Sequence, residues 1–306
     1  MLNRLSLLKI VSLALLAVFT LVPVAWAEGF PAASADRMEA RIKALSKFGA
    51  NADGGVDRVA YSKADIEGRA YIARLMEGLG LKVRIDAGGN IIGRREGSDP
   101  ALPPIMFGSH TDSVPGGGNY DGDVGVISAL EVIDLLNAAG HTTRHPLEVV
   151  DFSNEEGGLV GSLVLTGALK PSALDVISHS GLSIGDGINA IGGDVKRLAE
   201  AVVKPGRLKA FIELHIEQGA VLDEAGIEIG VVEGIVGIRW WDVTIDGFAN
   251  HAGTTPMNRR RDAMVAAARL TLVINEVALS LPGRQVATVG RIRAEPGAPN
   301  VIPGRV

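Results

Sequence analysis

Cysteine is missing from all 306 residues. Its absence excludes disulfides, thiolate zinc sites and a cysteine nucleophile together. Any metal must therefore sit on histidines and carboxylates. Histidine is scarce as well, with six residues, so each can be weighed singly. An excess of positive charge is also lacking. The net charge of −5 gives no electrostatic reason to expect nucleic acid or an anionic membrane surface as partner. Apolar residues, by contrast, make up 47% of the chain, which supplies a sizeable core and argues against global disorder. The length suits two domains or one large α/β unit.

The N-terminus reads as a leader. Arg4 and Lys9 precede the apolar run Ile10–Val22, and Ala25-Trp26-Ala27 has the small-x-small form of a cleavage site. Residues 1–27 are expected to be a signal peptide, with the mature chain starting near Glu28 and exported to the periplasm or medium. An uncleaved anchor is the alternative, because the apolar stretch is long when counted from Leu5. Pro23 and the Ala-x-Ala end favour cleavage, after which no stable membrane partner is expected.

From Asp36 to Gly49, Met38, Ile42 and Leu45 recur at helical spacing. A second helix is expected over about Ser62–Gly78, with Ser62 and Asp65 as a capping-box variant. Leu81–Ile85 and Asn90–Arg94 read as strands joined by Ala87-Gly88-Gly89, and Ile105–Gly108 as the next strand. A helix follows over Gly125–Ala139, then the apolar strand Leu147–Phe152, as in a buried, mostly parallel sheet. Residues 170–206 are weakly patterned, with a helix near Gly185–Ile191. Ala210–Leu214 is again strand-like. This alternation indicates an α/β domain with a mixed, mostly parallel sheet and helices on both faces, spanning residues 28–229. From about Val231 the pattern changes. Trp240–Ile245 and Gln285–Arg293 alternate as half-buried strands around an amphipathic helix over Arg261–Leu279, which indicates a smaller α+β domain over residues 230–306.

Four segments carry the chemical signal. His110-Thr111-Asp112 ends an apolar strand, so one imidazole nitrogen can bind an ion while the other donates to the nearby carboxylate. Gly116, Gly117 and Gly118 let the chain fold back so that Asp121 can reach the same ion. A strand-end turn with one surface histidine is the competing reading. Glu155-Glu156 follows the second apolar strand, and the loops at strand carboxyl ends hold ligands in such folds. Adjacent like charges gain nothing from a core but fit a metal site, one ligating and one facing the bound water; a solvated acidic loop is the alternative. His215, in Glu213-Leu-His-Ile-Glu-Gln218, ends another strand, either as a ligand or as a satisfied core histidine. His141, His145 and His179 lie in polar surroundings and are assigned to the surface. His251 sits in a polar turn, where it can donate to substrate or cap the loop.

Together, Gly-Ser-His110-Thr-Asp112-Ser-Val, Tyr-Asp121-Gly, Ser-Asn-Glu155-Glu156-Gly, Glu-Leu-His215-Ile-Glu-Gln218-Gly, Asn-His251-Ala-Gly-Thr-Thr-Pro-Met and Pro-Asn300-Val-Ile-Pro-Gly resemble the N-carbamoyl-amino-acid hydrolase/allantoate amidohydrolase family. That family belongs to the dinuclear metallohydrolases that include aminoacylases and carboxypeptidase-like enzymes. The resemblance runs from about Asp36 to Val306. It implies a zinc-exopeptidase-like catalytic domain with a lid that forms a homodimer. It further implies that His110 and His215 bind one ion, Asp121 bridges two, and Glu156 binds the second. Glu155 would be the general base and Asp112 would orient His110. Gln218, His251 and Asn300 would hold substrate, with His251 reaching the active site of the partner subunit. Two divalent ions, zinc or manganese, are implied per subunit.

Two departures modify those expectations. Family members carry a further histidine that completes the second metal site and an arginine that binds the substrate carboxylate. Both lie beyond the point corresponding to Val306. The catalytic and lid domains are thus expected to be incomplete, with a weakened second metal site. Leu163 stands where relatives often have arginine. The expected activity is hydrolysis of a linear ureido C–N bond in N-carbamoyl-L-amino acids or allantoate. The competing activities are those of an aminoacylase or dipeptidase, or of a non-catalytic metal- or ligand-binding relative.

Overall fold

The computed structural model describes residues 30–306, so the expected leader lies outside the described residues. Two compact units divide the chain, one ending at Ile229 and the other running Gly230–Val306. In the first, helix α1 (Ala35–Leu45) starts at Ser34, whose hydroxyl accepts from the Arg37 amide. Helix α2 (Lys63–Gly78) starts at Ser62, whose side chain accepts from the Asp65 amide. Asp65 reaches back to the Tyr61 amide at 2.7 Å, one residue before the cap. This is a displaced version of the reciprocal capping box.

The next elements are β1 (Lys82–Ile85), β2 (Ile91–Arg95), β3 (Ile105–His110), α3 (Asp123–Ala138) and β4 (Leu147–Phe152). Short helices α4 (Val160–Leu165), α5 (Ile184–Ala190) and α6 (Leu198–Ala201) precede β5 (Ala210–Ile212), and α7 (Val221–Ala225) follows it. The strands form one mixed sheet in the order β1-β2-β4-β3-β5. The β1–β2 and β2–β4 pairings are antiparallel, whereas β3 runs parallel to both β4 and β5. Parallel pairing puts the carboxyl ends of β3, β4 and β5 at the same edge, where His110 ends β3 and the Glu155 loop and His215 follow β4 and β5.

Alternation along the strands supplies both faces of the core. Ile91, Leu147 and Val149 pack against Ile42 and Leu45 of α1, Ile72 and Met76 of α2, and Ile127 and Leu130 of α3. Their neighbours Ile92, Met106, Val150 and Phe152 point the other way, onto Leu165, Val203 and Leu208. Every residue of β4 is buried. Burial of this kind stabilises by roughly 25 cal/mol per Å² of apolar surface. Its effect here is to hold the strand ends in fixed register.

The second unit contains helix α8 (Ala263–Ser280), capped by Asp262, between β6 (Asn250–His251) and β7 (Val301–Ile302). Strands β6 and β7 pair antiparallel. The strands expected over Trp240–Ile245 and Gln285–Arg293 do not form. A strand exists through hydrogen bonds to a neighbour. Among the described residues, 240–244 and 286–293 have no main-chain partner. Nor does one face of the first segment become buried: Trp240 and Trp241 are 90% and 79% exposed.

Candidate metal centre

His110 is the last residue of β3 and is buried. Its Nδ1 lies 3.0 Å from the main-chain carbonyl of Asp112. A carbonyl can only accept, so Nδ1 carries a proton, and in the neutral ring Nε2 keeps its lone pair. His215, three residues beyond β5, repeats the device, with Nδ1 3.0 Å from the carbonyl of Ile216. The two rings stack with centroids 5.9 Å apart. Asp121 completes the group. One ligand atom each from His110, Asp121 and His215 falls within 4.8 Å of the others.

The donor set fits a divalent cation. Asp121 Oδ1 is buried and has no hydrogen-bond partner, although it lies 3.2 Å from His215 Nε2. A buried carboxylate oxygen without a donor is costly unless something positive faces it. Two imidazoles and a carboxylate suit zinc, and also the harder manganese ion. Two glycines make room for this convergence. Gly122 has φ +66°, and a Cβ there would stand 2.5 Å from the His110 ring. A Cβ on Gly125, in the first turn of α3, would meet the carbonyl of Leu214 at 2.4 Å.

Asp112 acts differently from the sequence expectation. Its carboxylate is 3.8 Å from His110 Nδ1 and instead accepts from the amides of Glu155 at 3.0 Å and Glu156 at 3.2 Å. The backbone of Asp112 orients His110, while its side chain fixes the acidic loop. Burial pushes the Asp112 carboxyl up to about 7, partly opposed by the His110 charge. Burial alone would lower His110, but the carboxylates of Asp112 and Glu155 outweigh it and raise the imidazole.

Glu155 brings Oε2 within 3.6 Å of His110 Nε2, at the rim of the three-residue group. Glu156 is half-buried, and burial raises its pKa, with Asp121 and Glu155 adding to the rise. It lies outside the three-residue group. Gln218 donates from Nε2 to Asp121 Oδ2 at 2.5 Å. His251 and Asn300 belong to the second unit. There the Ala252 amide bonds the Asn300 carbonyl at 3.0 Å, bringing the two segments together. His251 Nδ1 accepts from the amides of Gly253 and Thr254 at 3.0 and 3.1 Å. Its proton therefore sits on Nε2, which is left as a donor on an exposed ring.

Sequence reasoning missed the support beneath the loop. Arg58 is buried and bonds the carbonyls of Thr111, Leu45 and Phe48 and the carboxylate of Asp123. Thr111 in turn donates to buried Asp151. The one available signal was a lone arginine in an otherwise acidic, glycine-containing loop.

A family model described as peptidase family M20/M25/M40 matches residues 106–292. The chain belongs to that family. The N-carbamoyl-L-amino acid amidohydrolase of Geobacillus stearothermophilus is 44% identical over 276 residues, covering 89% of this chain and 67% of the relative. The allantoate amidohydrolase of Escherichia coli K12 is 38% identical over 268 residues, covering 85% and 64%. Among solved structures, a hydantoinase/carbamoylase family amidase from Burkholderia vietnamiensis matches with a TM-score of 0.77 at 38% identity, covering 89% of this chain and 67% of that one. The chain thus spans about two thirds of the length of these relatives. The family fold agrees with the mixed α/β architecture read from the sequence, and the relatives are hydrolases of non-peptide C–N bonds.

Proposed function

We propose that this chain is a divalent-metal-dependent amidohydrolase that cleaves a linear ureido C–N bond, in N-carbamoyl-L-amino acids or allantoate. The observation that carries this reading is the convergence of His110, Asp121 and His215 with both histidine tautomers set for coordination. The amidohydrolase relatives supply the substrate class.

In this proposal His110 and His215 would hold one divalent ion, zinc or manganese, and Glu156 a second, with Asp121 a ligand to both. Such ions would supply Lewis acidity to a water and to the scissile carbonyl. Glu155 is the base: unligated beside the group, it takes the water's proton and returns it to the departing nitrogen. Asp112 holds the amides of Glu155 and Glu156, so both carboxylates leave one rigid turn. His251, with its proton on Nε2, is the donor to the developing oxyanion, a role worth on the order of 3–4 kcal/mol elsewhere. It serves the partner's site in a homodimer formed through residues 230–306. Gln218, His251 and Asn300 are substrate-binding residues in this reading. The chain works outside the cytoplasm once its leader has been removed.

The test is turnover of an N-carbamoyl-L-amino acid, allantoate and a dipeptide by the full chain loaded with zinc or manganese. Release of ammonia from either ureido compound, abolished by chelation, supports the proposal. Turnover of the dipeptide alone would assign the chain to the aminoacylase or dipeptidase reading. Metal binding with no turnover of any substrate would assign it to the non-catalytic one.

A further inference from the structure

Asp121 presents two oxygens in different states. Oδ1 is the buried, unpartnered atom facing His215. Oδ2 is taken by the side-chain amide of Gln218 at 2.5 Å. A carboxylate that bridges two cations must offer one oxygen to each. The second oxygen is here covered by a polar N–H that seeks the same electron density.

The turn that carries this amide has an unusual backbone. Gln218 has φ +54°, a left-handed conformation uncommon for a residue with a side chain. The neighbouring Glu217 carboxylate accepts from the Leu222 amide at 2.9 Å, tying the turn to the start of α7. From this turn the Gln218 side chain reaches a residue 97 positions earlier in the chain.

We infer that Gln218 is a positioning residue that stands in for the second ion on Asp121 Oδ2 and must leave when that ion enters. The inference rests on the two-ion reading proposed above. It has two consequences. The two ions bind in separated steps, the one at His110 and His215 first. The Gln218 amide, once displaced, becomes available to a ureido oxygen, so substrate affinity depends on second-ion occupancy.

The test is titration of the metal-free full chain with cobalt(II), followed by calorimetry and visible absorption. In the unaltered chain two steps are expected. In Gln218→Gly, which suits a left-handed backbone, the second step tightens on the order of tenfold, as expected from losing one hydrogen bond to a charged acceptor. The first step stays where it was. Gln218→Asn tolerates the same backbone, and its amide is too short to reach Oδ2, so it should shift the second step in the same direction. Identical second steps in all three proteins overturn the inference while leaving two-ion binding intact. Uptake of one ion by all three overturns the two-ion reading and the inference with it.

Discussion

The guanidinium of Arg58 closes on the carboxylate of Asp123, with Nη2 2.9 Å from Oδ1 and 2.6 Å from Oδ2, and both side chains are buried. Asp123 opens α3 two residues after Asp121, and Arg58 also holds the Thr111 carbonyl next to His110. The pair therefore ties the two halves of the metal loop to each other. Removing one member of a buried pair leaves the other charged without compensation, at a cost of about 3–5 kcal/mol. Arg58→Met should lower the unfolding free energy by that amount, seen as a lower urea midpoint at an unchanged slope. A loss below about 1 kcal/mol would show that the pair does not brace the loop.

Acidity should affect the metal-free chain in an unusual direction. Burial pushes Asp65 up to about 6 and Asp112 up to about 7, from an ordinary 3.8. Between those values the folded state binds more protons than the unfolded one. Stability therefore falls as pH rises from about 4 to about 7. His110, raised by its carboxylate neighbours, acts with the same sign. The metal-free chain should melt at a higher temperature at pH 5 than at pH 7.5. Equal or reversed melting temperatures would contradict these shifts.

Gly122 is the point where one methyl group should disturb the site. The Cβ of Gly122→Ala would contact the His110 ring at 2.5 Å from a backbone at φ +66°. The ring must turn away or the loop must open. We expect divalent-metal affinity to fall roughly 10–100-fold, the range typical of losing ligand orientation. Equilibrium dialysis against zinc measures this, with far-ultraviolet circular dichroism as a control that the fold persists.

Glu155→Gln separates base from ligand. If Glu155 only moves protons, the amide should lower kcat by about 10²–10⁴-fold. KM and metal content should change little, because His110, Asp121 and His215 remain. Loss of bound metal in this variant would make Glu155 a ligand instead.

How far this was legible in the sequence depended on whether the signal was local. Ser62 and the apolar run of β4 announce themselves over a few residues, and capping and burial on both faces of the strand then follow. His110 and His215 stood out because each terminates such a run. The Arg58–Asp123 pair spans 65 residues, and nothing near either residue pointed to the other. Asp112 was recognised as important but given the wrong contact, since spacing does not reveal that its carboxylate turns to the amides of residues 155 and 156. Trp240–Ile245 has the right alternation, yet alternation supplies no hydrogen-bond partner, and no strand results.

His215 is delivered by the weakest part of the sheet, a three-residue strand paired on one side and exposed throughout. The ligands on the opposite side leave the well-packed centre. A cation gripped by both would behave as a removable cross-link, closing a long loop of chain onto the sheet in the way a disulfide does in cysteine-bearing proteins. In a chain without cysteine, chelation is then the analogue of reduction. Stripping the ion should free the edge around residues 210–225 to exchange its amide hydrogens and to be cut by proteases, while the β4 core stays closed.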